Sequence, residues 1–347
     1  MKISENWLRE LVNPPVDSAQ LAHQLTMAGL EVDGLHPVAG VFKRVVVAQI
    51  LERQVHPTSE KYAVYIVDVG ASEPIQIVSI CTDLAVNTKL ACVLVGGEID
   101  GLEITVRDFA GVSSFGMFCA GSTLGLEREH NKQILFFAED ALVGTEVRKY
   151  LQLDDKIIDI DLTPNRGDCL SARGIAREVA AMNNSCYTPA AIDAVPSDID
   201  QTYPINIQDT SACPHYCARI ITHIDISALT PVWMQEKILR SGLATNNIII
   251  DIANYVMLEI GQPLHAFDLA TLNGELTVRF ARDKEKVTLL NQQQVTLDAS
   301  TLVISDQEKI SAIAGIMGSD DTSVSDTTDS ILLESAFFDP LVLASKA

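Results

Sequence analysis

The chain has 347 residues, 47% hydrophobic and 20% charged, which is enough apolar material for several cores and excludes wholesale disorder. At roughly 100 to 200 residues per domain, this length predicts two or three modules. With 25 Lys+Arg against 46 Asp+Glu the net charge is −21, which excludes a binder that relies on long-range attraction to phosphate and confines any RNA contact to local patches.

Seven cysteines (Cys81, Cys92, Cys119, Cys169, Cys186, Cys213 and Cys217) are scattered, with no CxxC pair and no matching His spacing for zinc. The sequence therefore predicts no metal site and a reducing, cytoplasmic setting. His215 between Cys213 and Cys217 lacks a second ligand pair. The first residues carry no apolar leader, and no run of about 18 uncharged apolar residues occurs, so neither secretion nor a membrane span is expected.

Taken in order, Ser4 caps a short predicted helix over Glu5–Val12, stopped by Pro14-Pro15. Asp17 and Gln20 form a capping box for a second helix in which Leu21, Leu25 and Met27 are expected to share a face and Gly29 to end the turn. From Val45 to about Phe137 short β-branched runs alternate with glycine-bearing turns: Val45–Ile50, Ala63–Val69, Ile75–Val78 and Leu90–Val95. Close, regular spacing of short strands predicts a small barrel of the OB type.

Ile157–Leu162 alternates as a strand, and Thr163–Asp168 reads as a turn whose Asp168 caps a helix to about Met182, with Leu170, Ile175, Val179 and Met182 as its apolar stripe. Pro189–Tyr203, poor in large apolar residues, reads as a linker. Beyond it a strand is expected at Cys217–Ile221 and a helix from Pro231, with Trp233, Ile238 and Leu239 packed inward and Gly242 as the stop. Strands follow at Leu276–Phe280, Val287–Leu290, Gln294–Leu297 and Leu302–Ile304, with a hairpin turn at Asn291-Gln292.

Polar residues that interrupt apolar surroundings mark where chemistry could sit. They are Asn254, His265, Asp268 and Glu334, all in the last module. Glu334 follows three aliphatics and precedes two Phe, so it is costly to bury unless it is paired or lines a pocket, and the residues alone leave both readings open. His265 is likewise open between a hydrogen-bonded structural role and a catalytic one. Ala314-Gly315-Ile316-Met317-Gly318-Ser319 lacks the spacing of a nucleotide loop; its glycines suit either tight turns or a pocket wall that lets backbone approach a ligand.

These pieces, in this order, resemble the N-terminal part of the bacterial phenylalanyl-tRNA synthetase beta subunit. The resemblance is carried by Asn6-Trp7-Leu8-Arg9-Glu10, Met27–Gly34, Leu162–Ser171 with Gly174–Ala180, Asn254-Tyr255-Val256, Gly261–Asp268 and Leu332–Phe338. It implies an α+β multidomain chain: a helical or αβ module over 1–40, an inserted tRNA-binding OB-fold β-barrel over 41–148, completion of the first module and a linker over 149–200, and an α+β editing domain over 201–347. In the family that last domain hydrolyses tyrosine wrongly attached to tRNA(Phe), while synthesis belongs to a separate alpha subunit.

By resemblance the editing pocket is formed by His265, Asn254 and Glu334 as catalytic residues, with Gly315, Gly318 and Ala253 binding substrate. His56, Lys61 and Lys89 are the implied tRNA contacts. A buried Glu334 would accept a hydrogen bond from the tyrosine hydroxyl, which phenylalanine cannot offer. His265 and Asn254 would orient water and polarise the ester carbonyl. No cofactor is expected on this segment; ATP and Mg belong to the complete synthetase. The implied partners are the alpha subunit, in a heterotetramer of two alpha and two beta chains, and tRNA(Phe).

Local departures from the family's pattern bear on these expectations. The family's His-Pro-x-Ala-Asp-Lys-Leu stands here as His56-Pro57-Thr58-Ser59-Glu60-Lys61-Tyr62, and a Gly-Ala turn is replaced by Thr82-Asp83, adding negative charge where phosphate would approach. Ala253 replaces a threonine and removes a hydroxyl. The resemblance also implies that the family's chain continues beyond the point matching Ala347, with the segment that closes the pocket and the parts that meet the alpha subunit. Alternatives to a beta-subunit piece are a stand-alone paralogue serving as an interaction module and a trans-editing aminoacyl-tRNA deacylase.

Overall fold

The structure is a computed structural model and describes residues 1–126, 133–344 and 346. Residues 127–132, inside the segment expected to form the barrel, and Ser345 and Ala347, at the end of the segment expected to form the editing domain, lie outside the described residues. The chain divides into two compact units, one of Met1–Glu10, Pro15–Leu162 and Leu239–Ala244, the other of Leu11–Pro14, Thr163–Ile238 and Thr245–Ala347.

The first unit opens with β1 (Lys2–Ser4), α1 (Glu5–Leu11), α2 (Ser18–Met27) and β2 (Glu31–Pro37). Ser4 Oγ accepts the Trp7 amide at 3.1 Å, the expected cap. The Asp17/Gln20 capping box also forms, the Gln20 amide reaching Asp17 Oδ1 at 2.8 Å. Leu21 and Leu25 are buried, but Met27 is exposed; it lies two positions past Leu25, about 200° around the helix, and cannot share that face. Strands β1 and β2 went unread because the first is too short to show a period and the second mixes polar and apolar residues without strict alternation.

A run of strands follows: β3 (Phe42–Val55), β4 (Ala63–Asp68), β5 (Ile75–Ser79), β6 (Lys89–Ile99), β7 (Leu102–Glu103), β8 (Arg107–Phe109), β9 (Val112–Ser114), β10 (Gly116–Phe118) and β11 (Phe136–Phe137). Then come α3 (Val147–Tyr150) and β12 (Lys156–Asp161), which lies between β1 and β2 in an antiparallel sheet. The larger sheet has the order β10-β6-β3-β4-β5, with β7 and β11 also on β6. Its far ends approach each other where the Phe115 amide donates to the Gln76 carbonyl at 2.9 Å and the Val78 amide to Ser114 Oγ at 3.0 Å. Ile50, Tyr65, Val67, Ile77 and Leu90 fill its interior, and the Tyr65 hydroxyl is satisfied by the Cys81 carbonyl at 2.7 Å.

Also in the first unit, Arg240 Nη1 meets Asp155 Oδ2 at 2.7 Å with both side chains buried, the Ser4 hydroxyl donates to the same oxygen at 2.5 Å, and the Asn6 and Lys156 amides donate to the other carboxylate oxygen. Every lone pair of this buried ion is used, which is what makes it tolerable.

In the second unit a 3₁₀ stretch over Pro164–Cys169 precedes α4 (Ala172–Asn183). The helix cap is Ser171, which accepts the Gly174 amide at 3.1 Å, and not Asp168. Arg166 has non-helical dihedrals and its guanidinium pairs with Asp168 at 3.1 Å, so that carboxylate is engaged before the helix begins. Leu170 accordingly lies outside the helix and is exposed; Ile175, Ala176 and Val179 form the buried stripe. Residues 185–204 contain neither helix nor strand and are mostly exposed.

The rest comprises β13 (Ile205–Ile207), β14 (His215–Ile221), α5 (Val232–Arg240, whose last two residues belong to the first unit), α6 (Ile248–Ile260), β15 (His265–Asp268), β16 (Leu276–Phe280), β17 (Lys286–Thr288), β18 (Gln294–Thr296), β19 (Leu302–Ser305), β20 (Ile310–Ile313), β21 (Met317–Gly318), β22 (Ile331–Phe337) and α7 (Pro340–Leu343). Two sheets dominate, β13-β16-β19-β20-β21 and the antiparallel β14-β22-β15. Phe267, Leu276, Leu302, Ile304 and Leu332 pack in one core. Trp233, expected to pack inward, is half-exposed with its ring edge on Tyr255.

Helix α6 was not legible. Its Ile248-Ile249-Ile250, Ile252 and Val256–Leu258 leave no polar stripe, and a β-branched run is ambiguous between strand and buried helix. Asn247 caps it, accepting the Ile249 and Ile250 amides at 3.1 Å each. Its buried residues are two acids, Asp251 and Glu259. Asp251 receives the Thr230 hydroxyl at 2.6 Å and the Asn246 amide at 2.7 Å.

Candidate active site

The strand register builds the site. In the second unit His265 on β15 lies directly opposite Glu334 on β22, and Glu334 opposite Ala218 on β14. Side chains two apart on a strand share a face, so Tyr216 stands beside this row. The row borders a cavity of about 360 Å³ whose lining includes His265, Glu334, Gly315, Gly318, Phe338 and Leu343.

Three buried polar atoms here have no hydrogen-bond partner: His265 Nε2, Glu334 Oε2 and the Tyr216 hydroxyl. Buried polar groups are nearly always satisfied, so three orphans on one sheet face mark a place where something else is meant to bind. Burial pushes the Glu334 carboxyl up to about 8, so it is mostly an uncharged acid at neutral pH. The Tyr216 hydroxyl eases its charging slightly while making no hydrogen bond of acceptable geometry with it. Burial pushes His265 down to about 4, leaving a neutral imidazole whose ring edge meets Phe267 at 4.4 Å between centroids.

Tyr216 is pushed upward by burial first and by Glu334 second, and burial with Glu334 lifts the Cys213 thiol to about 11. The site therefore holds hydrogen-bonding groups without net charge. Such groups orient a water or polarise a carbonyl, and they read a hydroxyl by pairing with it.

The glycines give the cavity its room. A Cβ at Gly318 would lie 2.4 Å from His265 Cε1, so only glycine lets the imidazole occupy its place. Gly315 has φ +67°, and a Cβ there would meet Leu343 Cδ1 at 2.6 Å.

Of the residues singled out from sequence, His265, Glu334, Gly315 and Gly318 come together on this cavity. Asn254 and Ala253 lie in the middle of α6, half-buried, and are not among its lining. Tyr216 was missed because the strand was read from Cys217 onward; extending the two-residue alternation back from Ala218 would have found it.

In the first unit, His56 is buried with a ring nitrogen 2.8 Å from the Phe109 carbonyl. Lys89 Nζ donates to the Ala141 carbonyl at 2.7 Å and to that of Glu139. Lys61 is exposed. Among the described residues no cluster of His, Cys, Asp and Glu could hold a metal ion, and no helix is long and apolar enough to cross a membrane.

A family model described as "Putative tRNA binding domain" matches residues 45–146, and one described as "B3/4 domain" matches 212–347, the span that holds the cavity. The phenylalanine–tRNA ligase beta subunit of Coxiella burnetii is 45% identical over 347 residues, all of this chain and 44% of its own length. The chain is a homologue of the N-terminal portion of phenylalanyl-tRNA synthetase beta subunits. The beta subunit of Acinetobacter baylyi is 47% identical over 348 residues, again all of this chain and 44% of the relative. The chain thus spans less than half the length of these synthetase subunits. A solved N-terminal fragment of the phenylalanyl-tRNA synthetase beta subunit from Pyrococcus horikoshii is 16% identical, covering 54% of this chain and 57% of its own, with a TM-score of 0.30, a likeness too slight to define the fold.

Proposed function

We propose that this chain is the tRNA-handling and editing portion of a phenylalanine–tRNA ligase beta subunit, and that its cavity hydrolyses tyrosine mistakenly esterified to tRNA(Phe). The observation that carries this reading is the placement of His265, half-buried, beside the buried Glu334, each with a buried unpartnered atom, on one cavity. A tyrosine hydroxyl entering there satisfies Glu334, and phenylalanine leaves it unpaired at a cost of roughly 1–3 kcal/mol. His265 orients the attacking water or the ester, and Gly315 and Gly318 let backbone come close. Asn254 and Ala253, half-buried on the helix that ends at Gly261 and outside the cavity lining, are proposed to act only if substrate extends beyond that lining.

In the same reading 1–40 and 149–200 form the first module and linker, 41–148 an OB-fold barrel that meets tRNA, and 201–347 the editing domain. The approach of Phe115 to Gln76 supports barrel closure, and the match over 45–146 supports tRNA contact. Lys61, with its exposed ammonium, is the foremost candidate of the three named residues for that contact. The alpha subunit and tRNA(Phe) are the partners, in a heterotetramer in the cytoplasm. ATP and Mg act on the complete synthetase and not on this segment.

The test is deacylation of tyrosyl-tRNA(Phe) by the purified chain, beside His265→Ala and Glu334→Gln. Hydrolysis that both variants lose supports the reading. Folded wild type and variants that release tyrosine at one common rate would sink it.

A further inference from the structure

Glu334 does not stand alone on its sheet face. Tyr216 follows Cys213 closely in the chain and lies on β14, one row along from the Ala218–Glu334–His265 row. Its hydroxyl is buried without a partner, as is Glu334 Oε2. The groups that could influence the Glu334 proton are few: Tyr216 on β14, Cys213 just before it and His265 on β15. The opposite wall, Ala312-Ile313-Ala314-Gly315-Ile316-Met317-Gly318, carries no titratable side chain. Tyr216 is not itself part of the cavity lining. The Tyr216 hydroxyl influences the ionisation of Glu334 and has no other partner.

We propose that Tyr216 is a positioning residue for Glu334: its hydroxyl engages the carboxyl from behind when ligand binds, which fixes the carboxyl's orientation and leaves Oε2 to take the phenolic hydroxyl of a bound aminoacyl group. The inference rests on the editing reading above and goes beyond it by naming what holds the discriminating acid in place. The Tyr216 hydroxyl already influences Glu334 in the free protein, and a bond that tightens when ligand binds adds more to discrimination than to the stability of the free protein. Losing one neutral hydrogen bond corresponds to a loss of discrimination on the order of tenfold. Because the Tyr216 hydroxyl lowers the cost of charging Glu334, its removal also raises the pH at which that acid ionises.

The experiment measures binding of L-tyrosinamide and L-phenylalaninamide, unhydrolysable stand-ins for the aminoacyl ester, to the full 347-residue chain from pH 6 to 9. Wild type, Tyr216→Phe and Glu334→Gln are compared, with thermal unfolding of each as a check on folding. Wild type is expected to prefer tyrosinamide and to show an inflection that Glu334→Gln lacks. Tyr216→Phe is expected to lose roughly tenfold of the preference and to move the inflection to higher pH, a displacement that a purely structural role would not produce. A folded Tyr216→Phe with the wild-type preference and inflection overturns the assignment of Tyr216 and leaves the Glu334 reading intact. Equal binding of both amides by wild type and Glu334→Gln overturns the editing reading and this inference with it.

Discussion

The buried acid and the buried imidazole impose opposite pH dependences on the stability of the second unit, and the difference between their windows isolates one of them. Glu334 titrates ordinarily near 4.5 and near 8 when folded. Between those values the folded chain holds a proton that the unfolded chain has released, so stability is full below pH 4.5 and falls as pH rises, by about 5 kcal/mol in all. His265 titrates ordinarily near 6.5 and near 4 when folded. Its contribution is complete above pH 6.5 and is lost as pH falls toward 4, about 3 kcal/mol over the window.

From pH 4.5 to 6.5 the two slopes oppose and nearly cancel; from 6.5 to 8 Glu334 acts alone and should remove about 2 kcal/mol. Urea unfolding at half-unit steps across that upper window, followed by fluorescence in a Trp7→Phe background so that Trp233 in the second unit reports, measures the slope. Glu334→Gln should flatten it while the lower window now rises with pH under His265 alone. Identical slopes for both proteins between pH 6.5 and 8 would refute the assignment of a neutral, buried Glu334.

Gly318→Ala should destabilise the second unit by about 1–3 kcal/mol, because the added methyl occupies the imidazole's place; a displaced His265 ring signal in NMR spectra accompanies it, and an unmoved ring contradicts the packing. Arg240→Leu strands the buried Asp155 carboxylate and should cost the first unit about 3–5 kcal/mol by urea titration, against almost nothing if water reaches that site. Lys89→Met breaks the tie to the Ala141 carbonyl and should lower the thermal midpoint of the first unit. Lys61→Ala should leave that midpoint unchanged and weaken tRNA binding instead, which filter binding at matched salt checks.

What the sequence disclosed and what it hid follow from where the physics is local. The Asp17 capping box and the alternation of Ile157–Leu162 act within a few residues, and both are found where the residues put them. Glu334 announced itself by the cost of a carboxylate among aliphatics. Its choice between a satisfied network and a pocket depended on β15 and β14, which no stretch of sequence around it encodes. Asp168 looked like a cap until Arg166, two residues away, claimed its carboxylate. Helix α6 hid because its buried side is acidic and its apolar side is not buried, the reverse of the pattern that reveals a helix.

The pairing of His265 with Glu334 is held by a backbone ladder and not by nearness along the chain. The excursion between β15 and β22 contains the β17-β18 hairpin, whose Asn291-Gln292 turn lies outside the β15-β22 register that pairs the two residues. A single residue inserted between Ile331 and Glu334 would instead turn the carboxylate to the opposite face of the sheet. Length variation within this domain should therefore be frequent at one end of the excursion and absent at the other, a footprint that comparison of gapped relatives would expose.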